Sequence, residues 1–286
     1  MKKLTIYFLF LMIGASVYAQ EGFISFAAKS PGKTFIGAVI EADKINSDTH
    51  EFLDVSQESI TISFSLPVKS QEIVPSYNNM MNAVEDIIKN GDVPTQNVSF
   101  SHTIREIKSY DELTLFFGQK INPTLLFGVP ANEEPKQNVV AVNLEQKLFS
   151  IDMDIPDESG FVIDNPEIDK DKLLYLGSVT FGRKAIVLIE SNQSESKIKA
   201  TVDDVVQNYD TPTKIAESSH SLLANSTIRV MIAGDNSAVD FQADNALIDA
   251  LLYFNRDITA NDFGSPIIFT AAWLKDNSVF VNDITL

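Results

Sequence analysis

Three histidines, His50, His102 and His220, are the first residues able to do acid–base or metal chemistry. Each stands alone, with no Cys, His or Glu at metal-ligand spacing. The run Asp152, Asp154, Asp157, Glu158, Asp164, Glu167, Asp169 and Asp171 offers the oxygen donors that calcium prefers. An EF-hand loop starting at Asp152 needs glycine at its sixth position, where this chain has Asp157. The run therefore reads as a solvated loop. Arg183 sits in an apolar stretch and reads as one half of a structural ion pair. There is no Gly-x-Ser-x-Gly elbow and no phosphate loop. With no cysteine, thiol catalysis, zinc thiolates and disulfides are excluded as well. The expectation is a protein that is not an enzyme and carries no cofactor or metal.

The formal charge is −17, and it grows more negative once a leader carrying Lys2 and Lys3 is removed. That excludes nucleic acid as a partner, since phosphate neutralisation dominates such binding. It also argues against unaided attachment to anionic lipid. Lys2 and Lys3, the apolar run Leu4 to Ile13, and small residues ending at Ala19 make residues 1–19 a secretory signal peptide. The expected domain is then residues 20–286, in a secreted protein, or a periplasmic one if retained.

Several elements must position whatever function remains. Ser59 to Leu66 alternates apolar and hydroxyl residues, which predicts a half-buried strand. Residues 76–91 carry a helical stripe capped by Ser76 and stopped by Gly91. Val98 to Arg105 alternates again, and Ser109 with Glu112 forms a capping box before an apolar turn through Phe117. Val139–Pro156, Lys172–Ser191 and Ser226–Gly234 have strand character. Asp240 to Arg256 reads as an amphipathic helix, and two short strands follow it. The order is α+β, with long antiparallel strands and helices packed on them.

Two segments carry two periods at once. In Pro123–Phe149, Leu125, Phe127 and Val129 alternate before a polar tip, "NEEPKQ", and Val140, Val142, Leu144 and Leu148 alternate after it. In Ser194–Asn225, Ile198, Val202, Val205, Val206 and Tyr209 form a helical stripe, yet Ile198, Ala200, Val202 and Val206 also alternate as a strand. Asp204 breaks that strand face, and "NYDTPTK" supplies a polar middle. From the pattern alone surface helices and ordinary hairpins, which are far commoner, are the stronger reading over membrane-inserted hairpins.

Three stretches carry a resemblance. "SVTFGRKAIVLIES", with Gly182 and Arg183, resembles the Tyr-Gly-Arg strand of the cholesterol-dependent (thiol-activated) cytolysins of the MACPF/CDC superfamily. "SPIIFTAAWLKDNSV", with Leu274, Lys275, Asp276 and Asn277, and "FIGAVIEADK" are similar to two further stretches of that family, in the family's order. The resemblance implies a bent four-stranded antiparallel sheet flanked by two helical clusters, each of which unfurls on a membrane into a β-hairpin. The four strands would be Val98–Ile107, Val139–Pro156, Leu176–Glu190 and Ser226–Ala233, with the two segments above as the clusters. It also implies a ring of copies of the chain.

The chain departs from the family in places. The Gly-Gly pivot of the fourth strand is Ala233-Gly234 here, and the aromatic used in subunit contact is Ile228. Pro123, Pro130 and Pro135 lie in or near the first hairpin. The tryptophan-rich, cholesterol-sensing domain has no counterpart, Trp273 being the one tryptophan. The expectation is a secreted pore-forming protein that needs a partner, a longer cytolysin-like protein, to reach its target membrane. The alternative is a non-lytic binding or regulatory module on the same fold.

Overall fold

The apolar run at residues 172–191 is the axis of the structure. The computed structural model describes residues 26–91, 99–130, 134–155, 161–162, 168–233, 245–259 and 262–284. The expected signal peptide and Gly234 lie outside them, as do Val98, Phe241 and half of the acidic run, Asp157, Glu158, Asp164 and Glu167. The strands are β1 (Phe26–Ala27), β2 (Val39–Glu41), β3 (Ser56–Gln57), β4 (Ile60–Phe64), β5 (Gln71–Ile73), β6 (Ser101–Ile107), β7 (Asn138–Met153), β8 (Phe161–Val162), β9 (Leu173–Ser191), β10 (Thr227–Ala233) and β11 (Ser265–Trp273). The α-helices are α1 (Tyr77–Lys89), α2 (Pro123–Phe127), α3 (Glu195–Asn208), α4 (Glu217–Ala224) and α5 (Ala246–Phe254).

Among the described residues nine strands form one antiparallel sheet, in place of the expected four. The four expected strands are present and adjacent, in the order β6-β7-β9-β10. They form a lower tier. The extra strands arise because β7 and β9 run on past their lower neighbours. Beyond Gly182, β9 exchanges β10 for β11, while β7 exchanges β6 for β4. In the upper tier β1 extends the sheet beyond β11, β5 extends it beyond β4, and β2 pairs the start of β9.

Burial explains why β9 reads as an unbroken apolar run: both its faces are covered, so alternation is lost. The upper tier packs Leu174, Leu176, Val179 and Phe181 against α1 through Met80, Val84 and Ile87. Ser76 caps α1 by accepting from the Asn79 N–H, as its sequence predicts. The expected helix 240–256 is α5 over its described part. The second closing strand is reduced to a single bridge, Ala272 with Val279.

Candidate functional site

The segments that link the lower strands, residues 108–137 and 192–226, lie on opposite faces of that tier. Alternation along the strands decides which face each meets. Val139 and Ala141 of β7 with Ile186 and Leu188 of β9 face the first segment. Val140, Val142 and Leu144 with Ala185, Val187 and Ile189 face the second segment and α5.

The first segment opens on the expected capping box. Ser109 Oγ accepts from the Asp111 N–H (3.3 Å), and the Glu112 carboxylate accepts from the Ser109 N–H (3.2 Å). A 3-10 helix, Tyr110–Phe116, follows, and its Tyr110 and Leu113 are buried together with Phe117. Asn122 then caps α2, Pro123 occupies its first turn, and Gly128 ends it at φ 66°. Of the residues expected to insert, Phe127 and Val129 are buried on the sheet while Leu125 is 61% exposed.

The other half of that expectation is corrected. Val140, Val142, Leu144 and Leu148 belong to β7 and not to a cluster. Val140, Val142 and Leu144 are already paired on both sides, with β6 and β9, and Leu148 lies in the bulge between Lys147 and Phe149. Because β7 begins at Asn138, residues 134–137 of "NEEPKQ" lead directly into the sheet, and residues 132–133 lie outside the described residues. The turn that reverses the first segment is Gly118–Asn122.

The second segment is helical on the expected stripe. Ile198, Val202 and Val205 of α3 are buried and Val206 is partly buried, whereas Ala200 of the alternate strand face points to solvent. Asp204, which spoils the strand pattern, does the stitching in this state. Its carboxylate accepts from Ser219 Oγ (2.6 Å) and the Ala216 N–H (2.9 Å), tying α3 to the start of α4. These bonds hold its pKa below the ordinary aspartate value. At the far end of α3, the Tyr209 ring packs on Phe100, which in turn meets Phe254 of α5. Lys108 bridges to Glu195 across the lower end (2.7 Å), an exposed pair of little weight.

The tiers meet at Gly182. A Cβ there would lie 1.9 Å from the Gln146 carbonyl oxygen, so only glycine allows β7 and β9 this approach. Gly264, at φ 76°, packs on the Gly182 backbone from the other side. Register shifts beside Leu148 in β7 and Ile267 in β11 flank the same glycine, and such bulges re-aim strands. Arg183 is fully buried. Its guanidinium donates to the carbonyls of Tyr253 (3.4 Å) and Arg256 (2.8 Å) and pairs with Asp262 (3.0 Å). It therefore satisfies carbonyls at the end of α5 and fixes that helix over the bulge. The expected structural ion pair is present. The second motif is a tight turn. Asn277 is left-handed (φ 58°) and accepts from Tyr175 Oη (3.0 Å), Asp276 accepts from Ser278 Oγ (2.6 Å), Lys275 lies over the Trp273 ring, and the Leu274 N–H donates to Leu173.

Residues 15–284 match the family profile described as thiol-activated cytolysin. The chain belongs to the thiol-activated cytolysin family. It is 22% identical over 282 residues to listeriolysin O of Listeria monocytogenes serotype 4a (strain HCC23), covering 87% of this chain and 52% of that protein. It is 21% identical over 286 residues to pneumolysin of Streptococcus pneumoniae serotype 4 (strain ATCC BAA-334 / TIGR4), covering 90% of this chain and 60% of the relative. A pneumolysin structure at 1.98 Å superposes with a TM-score of 0.69 at 18% identity, over 90% of this chain and 60% of that one. The crystal structure of listeriolysin O superposes with a TM-score of 0.67 at 17% identity, over 90% and 59%. The chain thus spans a little over half the length of these relatives. Members of the family are non-enzymatic pore-forming toxins.

Within this cytolysin fold the expected contact residues fall on β10. Ile228 pairs Ile189 and is partly buried, and Ala233 pairs Lys184 at the tier boundary. Among the described residues, no cluster of three or more His, Asp or Glu could hold a metal. His102 and His220 are exposed, whereas His50 is buried beside the Gly118–Asn122 turn. Sequence reasoning missed Gly264 and the amides Asn46, Gln119 and Asn282. Only the Gly-Ser-Pro punctuation after Phe263 marked the first, and nothing periodic marks the others.

Proposed function

We propose that this chain is the membrane-perforating core of a secreted cytolysin, which assembles into a ring and inserts two β-hairpins per copy. The observation that carries the reading is the pair of strand-linking segments folded as helices on opposite faces of one antiparallel core. Among the described residues, β6 pairs only with β7 and β10 only with β9, so each keeps an outer edge on which a neighbouring copy could pair. Each segment is long enough for two arms of the roughly 9–11 residues that a membrane strand needs. No described helix is long and apolar enough to cross a membrane, which says nothing about strands.

In this reading the tip of the first hairpin is the turn Gly118–Asn122, with Pro123 directly after it. There Pro123 costs no ladder hydrogen bond, while Pro130 and Pro135 fall in the returning arm. Membrane attachment falls to a partner, for which a longer cytolysin-like protein is the candidate. Leakage of dye-loaded, cholesterol-containing liposomes tests this. Release with a co-secreted longer homologue, and none from this chain alone, is the expected result. No release in either case overturns the pore reading. The second reading, a non-lytic module on the same fold, draws on Pro130, which would interrupt a membrane ladder.

A further inference from the structure

The turn Gly118–Asn122 is fastened at four of its five residues to parts of the chain that do not belong to the lower tier. Asn46, at the end of the 3-10 helix Ala42–Asn46, accepts from the Lys120 N–H (2.8 Å). It also exchanges amide hydrogen bonds with Asn282 (2.9 and 3.2 Å), whose Nδ2 reaches the Gly118 carbonyl (3.4 Å). Asn122 Nδ2 donates to Asp48 (3.4 Å). At the centre, the fully buried His50 ring holds Gln119 Oε1 through Nε2 at 2.7 Å. With Nε2 carrying the proton, His50 Nδ1 is a buried acceptor with no described partner, and the ring stands edge-on to Phe269.

We propose that this cluster is an acid-sensitive latch, which holds the first segment on the sheet while His50 is neutral and opens when the ring is protonated. The proposal deepens the pore reading and rests on it for its consequence, since the latched turn is the tip that would leave the sheet.

A second ring proton would sit on Nδ1, which is buried and makes no hydrogen bond as the ring stands; the Ile45 backbone offsets only part of the cost of burying that charge. Lys29 is the charged group that acts on the ring, and Asp48 in turn acts on Lys29. The neighbours from the other packed elements, Ile45, Phe269 and Gln119, do not titrate. Burial, with Lys29 adding to it, lowers the ring's pKa from 6.5 to about 4, against the hydrogen bonds with Gln119 and the Ile45 backbone. The folded pKa lies below that of an exposed ring. The latch is therefore at full strength above pH 6.5 and weakens as pH falls towards 4. Opening becomes about tenfold more favourable at pH 5.5 than at neutral pH.

Hydrogen exchange of the whole chain in solution, without membrane, tests this apart from pore formation. After correction for intrinsic rates, peptides covering residues 113–130 are expected to lose about tenfold protection between pH 7.5 and 5.5. Peptides covering residues 185–189 and α3 are expected to keep theirs. His50→Gln keeps a donor for Gln119 and cannot titrate, so its protection should not change with pH. No loss in the natural chain, or the same loss in His50→Gln, overturns the latch. Should His50→Gln fail to fold, Lys29→Met serves instead. Removing that charge should raise the folded pKa of the ring and make the loss of protection below pH 5.5 smaller, and an undiminished loss overturns the proposal. Liposome leakage at both pH values separates the two readings: acid-dependent exchange without leakage under any condition supports the latch and sinks the pore.

Discussion

The two strand-linking segments cover opposite faces of the same strands, yet different forces hold their far ends. The turn of the first, Gly118–Asn122, is fixed by amides, a carbonyl and a buried imidazole from distant parts of the chain. The turn of the second rests on Phe100 through Tyr209, while the Asp204 carboxylate closes its two helices on each other. Both bury aliphatic side chains on the sheet, each worth about 1.5–3 kcal/mol. What differs is sensitivity. Directional polar contacts around a titratable ring respond to pH, whereas ring packing does not. Release of the two segments is therefore separable.

The largest expected effect breaks both segments together. Gly182→Ala drives a Cβ into the Gln146 carbonyl and displaces the strand pair that both segments cover. A loss of about 4 kcal/mol or more in urea unfolding, or no soluble protein, is expected. A variant of natural stability would show that the tier boundary is not so tight. Next come truncations that separate the faces. Leu113→Ala and Ile198→Ala each remove a fully buried side chain and should cost about 3 kcal/mol. In hydrogen exchange, Leu113→Ala should loosen residues 108–130 and Ile198→Ala residues 195–224. Equal loosening of both segments by either variant would contradict independent release.

Acid sharpens the comparison with a smaller effect. Because the folded His50 pKa is depressed, its contribution is complete above pH 6.5 and is lost towards pH 4. A fall of about 1.4 kcal/mol is expected at pH 5.5. His50→Gln should remove that part of the pH dependence, measured as urea midpoints against pH. The smallest effect lies in the second segment. Asp204→Ala deletes a cap for α4 and should cost about 1 kcal/mol, with the loss in protection confined to residues 204–224. The Asp204 pKa is held below the ordinary aspartate value, so its carboxylate stays charged at pH 5.5 and this segment should hold there.

The sequence showed the four lower strands and the family motifs because burial leaves a local signature. The run in β9 is apolar throughout since both faces are covered, and Ser76 and Ser109 announce their helices. The first segment was misplaced for the same reason. Val140, Val142 and Leu144 alternate as any strand would, and alternation cannot say whether a strand waits in a cluster or already stands in the sheet. The five further strands of the sheet are short or pair far along the chain, so nothing local ties them to β7 and β9. The latch was invisible because Asn46 and Asn282 are 236 residues apart and amides follow no hydrophobic period. The double period of residues 198–206 was legible, and here only its helical half is used, with Asp204 fastening α3 to α4.

The absence of cysteine allows the most direct test. Single cysteines placed in turn at residues 124–130 and 198–206, each carrying an environment-sensitive fluorophore, report which side chains enter lipid when the chain meets liposomes with a longer homologue. The account predicts emission that alternates residue by residue along both segments, the signature of strands with one face in lipid. Emission unchanged from that in solution, or rising with the helical period of about 3.6, would contradict it.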